Sequence, residues 1–417
     1  MVIKRDLYLN TLIRYKHNGM IKVITGIRRC GKSYMLFNLF YNYLIESGVK
    51  EDHIIKIALD DRRNKKYRNP DELCDYVHGC VKDKDMYYIL LDEVQFVAEF
   101  EDVLNSFLHI ENADIYVTGS NAKFLSKDII TEFRGRGDQI HIFPLSFAEF
   151  MSVSEKTVLD GWNEYMNFGG LPKIVAFTDE RDKAKYLKEI FSETYLKDIK
   201  ERHSIRGDAE IEELLDILSS SIGSLTNPKK LSDTFKSVKQ VSLHPDTIKN
   251  YLDYFIDSFL IAQAKRYDIK GKKYINSPSK YYFTDIGLRN ARLNFRQEEE
   301  THIMENIVFN ELMLRGLNVD VGVVDIYAPN EQGKSVLKKS EVDFVCNMLD
   351  KRYYIQVALA LPSKEKIDQE QKSLLGISDS FKKIIIVKDI ARSHYNEEGI
   401  YLMSLFDFLL NPDSLNF

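Results

Sequence analysis

Cysteine, proline and tryptophan are scarce in this chain of 417 residues, at four, nine and one. Cys30, Cys74, Cys80 and Cys346 form no C-x-x-C pair and no Cys/His cluster of zinc spacing. That excludes a structural zinc site and a disulfide framework, and leaves reduced thiols of the cytosolic kind. Low proline and glycine exclude collagen-like and low-complexity chains. No apolar run approaches a membrane span, and residues 1–19 carry no apolar signal core, so the expectation is a cytoplasmic protein with no membrane contact. An excess of one charge is also missing. The formal net charge is −5, so contact with nucleic acid would have to come from a local basic patch. No internal repeat is visible.

What is present is apolar and aromatic: 44% hydrophobic residues, with 24 Tyr and 24 Phe. That composition packs cores, and the length calls for two or three of them. Residues 1–150 alternate short β-branched runs with helical stretches, the pattern of a parallel α/β sheet. The predicted strands are 21–25, 53–59, 87–93, 114–120 and 138–143.

The stretch GIRRCGKS, residues 26–33, follows the first strand and opens a helix. Gly26, Gly31, Lys32 and Ser33 fit G-x-x-x-x-G-K-[ST], whose glycines let backbone N–H groups close on a phosphate at a helix N-terminus. Within the loop span Gly26, Ile27, Arg28, Arg29, Cys30, Gly31, Lys32, Ser33 and Tyr34, Lys32 is read as the phosphate lysine and Ser33 as a Mg²⁺ ligand. Inward-facing amides leave Arg28 and Arg29 to stand on the rim. ILLDEVQ (89–95) ends a strand with Asp92, a second Mg²⁺ ligand, and Glu93, which is placed to activate water. One strand intervenes between the loop strand and the Asp92 strand. VTGSNA brings Ser120 and Asn121 to the same sheet edge, beside the terminal phosphate. EFRGRG carries Arg134 and Arg136, either of which could reach a neighbouring subunit's nucleotide.

ITGIRRCGKS, ILLDEVQ, VTGSNAKFLS, GRG…FPLSFAEF and FGGLP together resemble the AAA-type ATPases of bacteria and archaea that carry a C-terminal domain of unknown function. The resemblance covers nearly the whole chain. It implies an α/β fold with a parallel P-loop sheet of order 5-1-4-3-2, ATP and Mg²⁺ as nucleotide and metal, ATP hydrolysis, and a homo-oligomer.

Residues 151–207 read as a helical lid or linker: a helix, a Gly-Gly break and second helix, then a long amphipathic helix. Residues 208–298 read as three helices followed by a β-wing, the order of a winged helix. Residues 228–282 hold 11 Lys/Arg against 5 Asp/Glu. Lys229, Lys230, Lys249, Lys265, Arg266, Lys270, Lys272, Lys273 and Lys280 are candidates to meet the phosphates of double-stranded DNA.

Residues 299–417 resemble a restriction-endonuclease-like core, with Glu305 on a helix, Asp343 on a strand and a following strand RYYIQVAL. That resemblance implies E-x-K on the last strand, where this chain has Gln356-Val357-Ala358. Two carboxylates and no lysine predict little or no cleavage, with Lys364 or Lys366 as conceivable substitutes. The sequence therefore points to a Mg²⁺-dependent ATPase acting on DNA. A nucleotide-controlled switch binding a protein partner, and an active nuclease, are the alternatives.

Overall fold

The computed structural model describes residues 2–119, 133, 135–205, 208–239, 242–296, 299–329 and 334–416. The chain divides into two compact units, 1–144 with 257–259, and 145–256 with 260–417.

The first unit is built on five parallel strands: β1 (Ile21–Thr25), β2 (Ile54–Ala58), β3 (Tyr87–Asp92), β4 (Ala113–Thr118) and β5 (Gly137–His141). Their order is β2-β3-β4-β1-β5, the expected order read from the other edge. β1 and β3 are buried at every position. This is why they read as unbroken apolar runs and not as alternating ones: helices cover both faces of a parallel sheet. The core gathers Ile21, Val23, Ile89, Leu91, Ile115 and Val117 with Leu104 and Phe107 from the Phe100–Phe107 helix. Because β4 lies between β3 and β1, the ends of all three strands reach one edge together. The Pro70–Cys80 helix starts as its sequence predicts, with Pro at the first position and the Asn69 side chain accepting from the Glu72 N–H at 3.1 Å.

The second unit begins with helices Phe147–Met151 and Val158–Phe168. FGGLP then turns the chain. Gly170 lies so close to Leu145 that a Cβ would meet its carbonyl oxygen at 2.2 Å. Asp285 accepts from the Gly170 N–H at 2.8 Å and from the Leu288 N–H at 3.1 Å. One buried carboxylate thus fixes the glycine turn and caps the Ile286–Arg292 helix. In place of the second helix expected after the glycines there is a single 3₁₀ turn, Ile174–Ala176.

Three helical segments, Asp208–Ser220, residues 228–239 and Pro245–Asp257, precede the hairpin β6 (Ile261–Asp268) and β7 (Lys273–Phe283). That is the expected element order, but the hairpin does not stand alone: it forms one edge of a larger sheet. β6 also pairs in parallel with β8 (Asn318–Pro329). An eight-stranded sheet then continues through β9 (Ser335–Met348), β10 (Lys351–Ala358), β11 (Lys382–Val387), β12 (His394–Tyr395) and β13 (Tyr401–Ser404). The expected boundary at 298 therefore falls inside a structure that shares one sheet: the outer side of β6 is a ladder edge that β8 covers. The Glu300–Leu314 helix is tied to the end of β7. The Asn306 side chain exchanges two hydrogen bonds of 2.8 Å with the Phe283 backbone.

Candidate functional site

β1 ends at Thr25, and the loop that follows is left-handed at Gly26 (φ +141°), Arg29 (φ 65°) and Gly31 (φ 103°). A Cβ on Gly26 would lie 2.2 Å from the Ile142 carbonyl oxygen, so the loop can leave the sheet only through glycine. Ile27 and Cys30 are buried, Arg28 is half-buried, and Arg29 and Tyr34 are exposed. Of the arginine pair, Arg29 stands at the rim and Arg28 is partly enclosed. Helix 32–46 starts directly after Gly31. The Lys32 ammonium is buried and donates to the Gly26 and Ile27 carbonyls at 3.0 and 3.1 Å. These are neutral acceptors on the loop itself, so an anionic ligand can take the ammonium over without breaking an ion pair.

At the end of β3, Asp92 is 4% exposed. Burial raises its carboxyl above the usual range, against hydrogen bonds from Thr118 and Ser33 that lower it. The Thr118 hydroxyl, at the end of β4, donates to Asp92 at 2.5 Å and accepts from the Glu93 N–H at 2.9 Å. One side chain thereby sets both acidic residues. Glu93 has φ 54°, a left-handed turn that swings it out of the strand line, and the Gln95 amide donates to its carboxylate.

The loop is held from behind by residues with no place in the motif. Arg5, 4% exposed, donates to the Cys30 carbonyl at 3.0 Å and to the Phe143 carbonyl at 2.9 Å. The Tyr8 hydroxyl, under the same guanidinium, accepts from the Phe143 N–H at 3.1 Å. His141, at the end of β5, contacts the Thr25 hydroxyl at 3.2 Å. Burial, and after it the Lys32 charge, push its imidazole down to about 4. It is therefore a neutral neighbour of Lys32.

Residues 18–151 match the family model of an AAA domain, and residues 159–299 match that of a domain of unknown function. The chain is 33% identical to an uncharacterized protein of Haemophilus influenzae, covering 98% of this chain and 99% of that one. It is 31% identical to an uncharacterized protein of Methanocaldococcus jannaschii, covering 97% and 88%. Among solved structures, a Walker-type ATPase of Pyrococcus abyssi shares the fold, with a TM-score of 0.51 at 13% identity over 70% of this chain and 96% of that one. The chain belongs to the AAA-type P-loop ATPases.

The other predicted residues of this AAA protein are distributed unevenly. Ser120, Asn121 and Arg134 lie outside the described residues. Arg136 is exposed and sits just before β5, where its carbonyl accepts from the Ile21 N–H at 2.8 Å. β1 and β5 run parallel from Ile21 and Gly137, so Arg136 is at the sheet edge opposite the phosphate loop. A strand of five residues, roughly 17 Å, separates it from the loop. It is therefore no part of this chain's own phosphate site.

Of the basic set, Lys229, Lys230, Lys249, Lys265, Lys270, Lys272 and Lys273 are exposed and Arg266 is half-buried. Lys280 is corrected: it is 4% exposed and bound to carboxylates, so it cannot meet DNA. Its ammonium lies 2.8 Å from Glu305, 2.8 Å from Glu341 and 4.0 Å from Asp343. Glu305 also accepts from the Tyr282 hydroxyl at 2.6 Å. Asp343 accepts from the Val357 N–H at 2.9 Å, while its own N–H donates to the Gln356 side chain at 3.2 Å. Burial, and then the Glu305 charge, raise the Asp343 carboxyl to about 8. The structure thus brings Glu305, Asp343 and Gln356 together as the sequence suggested, and adds Glu341 and a lysine from another strand. Neither suggested substitute supplies that lysine: Lys366 pairs with Glu370 on its own helix, and Lys364 is exposed.

Among the described residues, no helix is long and apolar enough to cross a membrane.

Proposed function

We propose that this protein binds ATP with Mg²⁺ and hydrolyses its terminal phosphoanhydride, using the turnover to act on double-stranded DNA as a homo-oligomer. The observation that carries the reading is the meeting of Asp92, Glu93, Thr118 and Ser33 at the edge where the phosphate loop opens. Loop amides and Lys32 bind the phosphates. Ser33 and Asp92 are the residues that would hold Mg²⁺. The donor set suits it: a hydroxyl and a buried carboxylate, with a second hydroxyl behind them, are hard oxygen donors. The ion supplies charge neutralisation for the phosphate oxygens.

Glu93 takes a proton from water as the oxygen attacks the terminal phosphorus, and the bond to the ADP oxygen breaks. Thr118 holds the Glu93 backbone in place for this step. Lys229, Lys230, Lys249, Lys265, Lys270, Lys272 and Lys273, with the half-buried Arg266, are the surface offered to DNA phosphates. Arg134 or Arg136 acts on a neighbouring subunit's nucleotide.

The test is ATP turnover by the full chain with increasing double-stranded DNA at several salt concentrations, alongside light scattering with and without ATP. Stimulation that falls steeply with salt, in an assembly of several copies, supports the reading. A flat DNA response with ATP-governed assembly overturns the DNA part in favour of a switch that binds a protein partner. Turnover unchanged in Lys32→Ala and Glu93→Gln overturns the whole.

A further inference from the structure

An endonuclease-like centre calls for a divalent cation among its carboxylates, and the residues here do not fit one. A shared ion needs several carboxylate oxygens about 2.0–2.6 Å from a single point. In this chain the point between Glu305, Glu341 and Asp343 is taken by the Lys280 ammonium, 2.8 Å from each of two carboxylates. The one group of His, Asp, Glu or Cys among the described residues whose ligand atoms all lie within 4.8 Å of one another is elsewhere, at His53, Asp83 and Asp85.

The ammonium cannot step aside easily. Lys280 is an interior residue of β7, paired with Ala264 on β6, and its side chain is 5% exposed. Its acceptors come from two further elements, the Glu300–Leu314 helix and β9. Leaving would strand at least two carboxylates, one of them nine-tenths buried. Further donors also engage the cluster: Tyr282 on Glu305, Val357 on Asp343, and the Asp343 N–H on the Gln356 oxygen that would otherwise offer itself to a metal.

We propose that Lys280 is the resident cation of this cluster, an amine in the place where a nuclease holds its metal, so that the centre takes no divalent ion and cleaves nothing. The lysine missing from β10 is present in space, but it closes the site and does not assist it. The cluster's work is then to fasten β7, the Glu300–Leu314 helix and β9 to one another.

The experiment measures Mn²⁺ binding by electron paramagnetic resonance on nucleotide-free full-length protein. A His53→Ala background silences the other acidic group. The proposal expects wild-type Lys280 protein to bind no Mn²⁺ that Asp343→Asn removes, and to leave supercoiled plasmid intact. Lys280→Ala, and Lys280→Met as the variant that keeps the stem, are expected to gain a site of about 0.1–1 mM, the weak end for carboxylate cation sites. That gain should vanish when Asp343→Asn is added. Two results overturn the proposal: Asp343-dependent Mn²⁺ binding or plasmid cleavage by the wild-type cluster, which would make Lys280 a relocated catalytic lysine, or a folded Lys280 variant that gains no site. Should neither variant fold, the wild-type comparison with Asp343→Asn decides alone.

Discussion

The phosphate loop and the carboxylate cluster use the same side chains to opposite ends. Each holds one buried lysine, on a different element from the acidic residues of its cluster. In the first unit the lysine rests on two backbone carbonyls of its own loop, while the acids, Asp92 and Glu93, are engaged by Thr118, Ser33 and Gln95. The lysine and Asp92 thus rest on neutral partners that a ligand can replace. In the second unit the lysine sits on the acids themselves, and their charges are spent on each other. Here the buried ion pairs of Lys280 make a structural contact, while Lys32 rests on loop carbonyls that a phosphate can replace.

The sharpest way to break this comparison is at Glu93. Glu93→Gln should retain ATP affinity and lose on the order of 10²–10⁴ in turnover, the usual scale for a positioned general base, read by phosphate release alongside nucleotide titration. If Glu93 were a structural partner like Glu305, turnover would stay and stability would fall. The converse substitution is Lys280→Met. Leaving buried carboxylates unpaired should cost about 3–5 kcal/mol, read as a lower urea midpoint for the second unit with ATP affinity unchanged. Adding Asp343→Asn should return part of it.

A third test uses His141. Its folded-state value of about 4 lies below the ordinary 6.5, so between those values the unfolded chain binds more protons. The stability this contributes is complete above about pH 6.5 and is lost as pH falls through 4. Urea melts of the first unit from pH 7 to 4 should show that slope, and His141→Gln should flatten it. The smallest effect concerns DNA. If Lys270 neutralises one phosphate, Lys270→Ala should make the salt dependence of binding shallower by about 0.9 in logarithmic slope, whereas Lys280→Met should leave the slope unmoved.

Sequence resolves the first unit well because its signals are local. The apolar runs of β1 and β3 mark strands buried at every position, and the loop motif is contiguous, so these strands and the positions of Lys32, Ser33, Asp92 and Glu93 can be read directly, while the strand order comes from the family resemblance. Thr118 is overshadowed by the polar residues that follow it, although a hydroxyl ending a strand beside Asp92 is there to be seen. Arg5, Tyr8 and His141 carry no such signal: they meet Cys30 of the loop, Phe143 behind it and Thr25 before it across 25 to 138 positions of chain, and nothing in their spacing announces it. Lys280 misleads for a related reason. A count of charges along 228–282 cannot tell a lysine on the outside of a hairpin from one whose alternate position faces the neighbouring helix. Likewise, the wing pattern of β6 and β7 is legible locally, but its pairing with β8, more than 50 residues later, is not.

The Arg5 contact bears on how this protein should be divided for study. Similarity marks an AAA module as starting near residue 18, yet the carbonyl of Cys30 in the middle of the nucleotide loop leans on a guanidinium 25 positions upstream. A fragment trimmed to the recognisable module would keep every motif and lose the brace behind them. Its weakened grip on ATP would then measure the cut and not the enzyme.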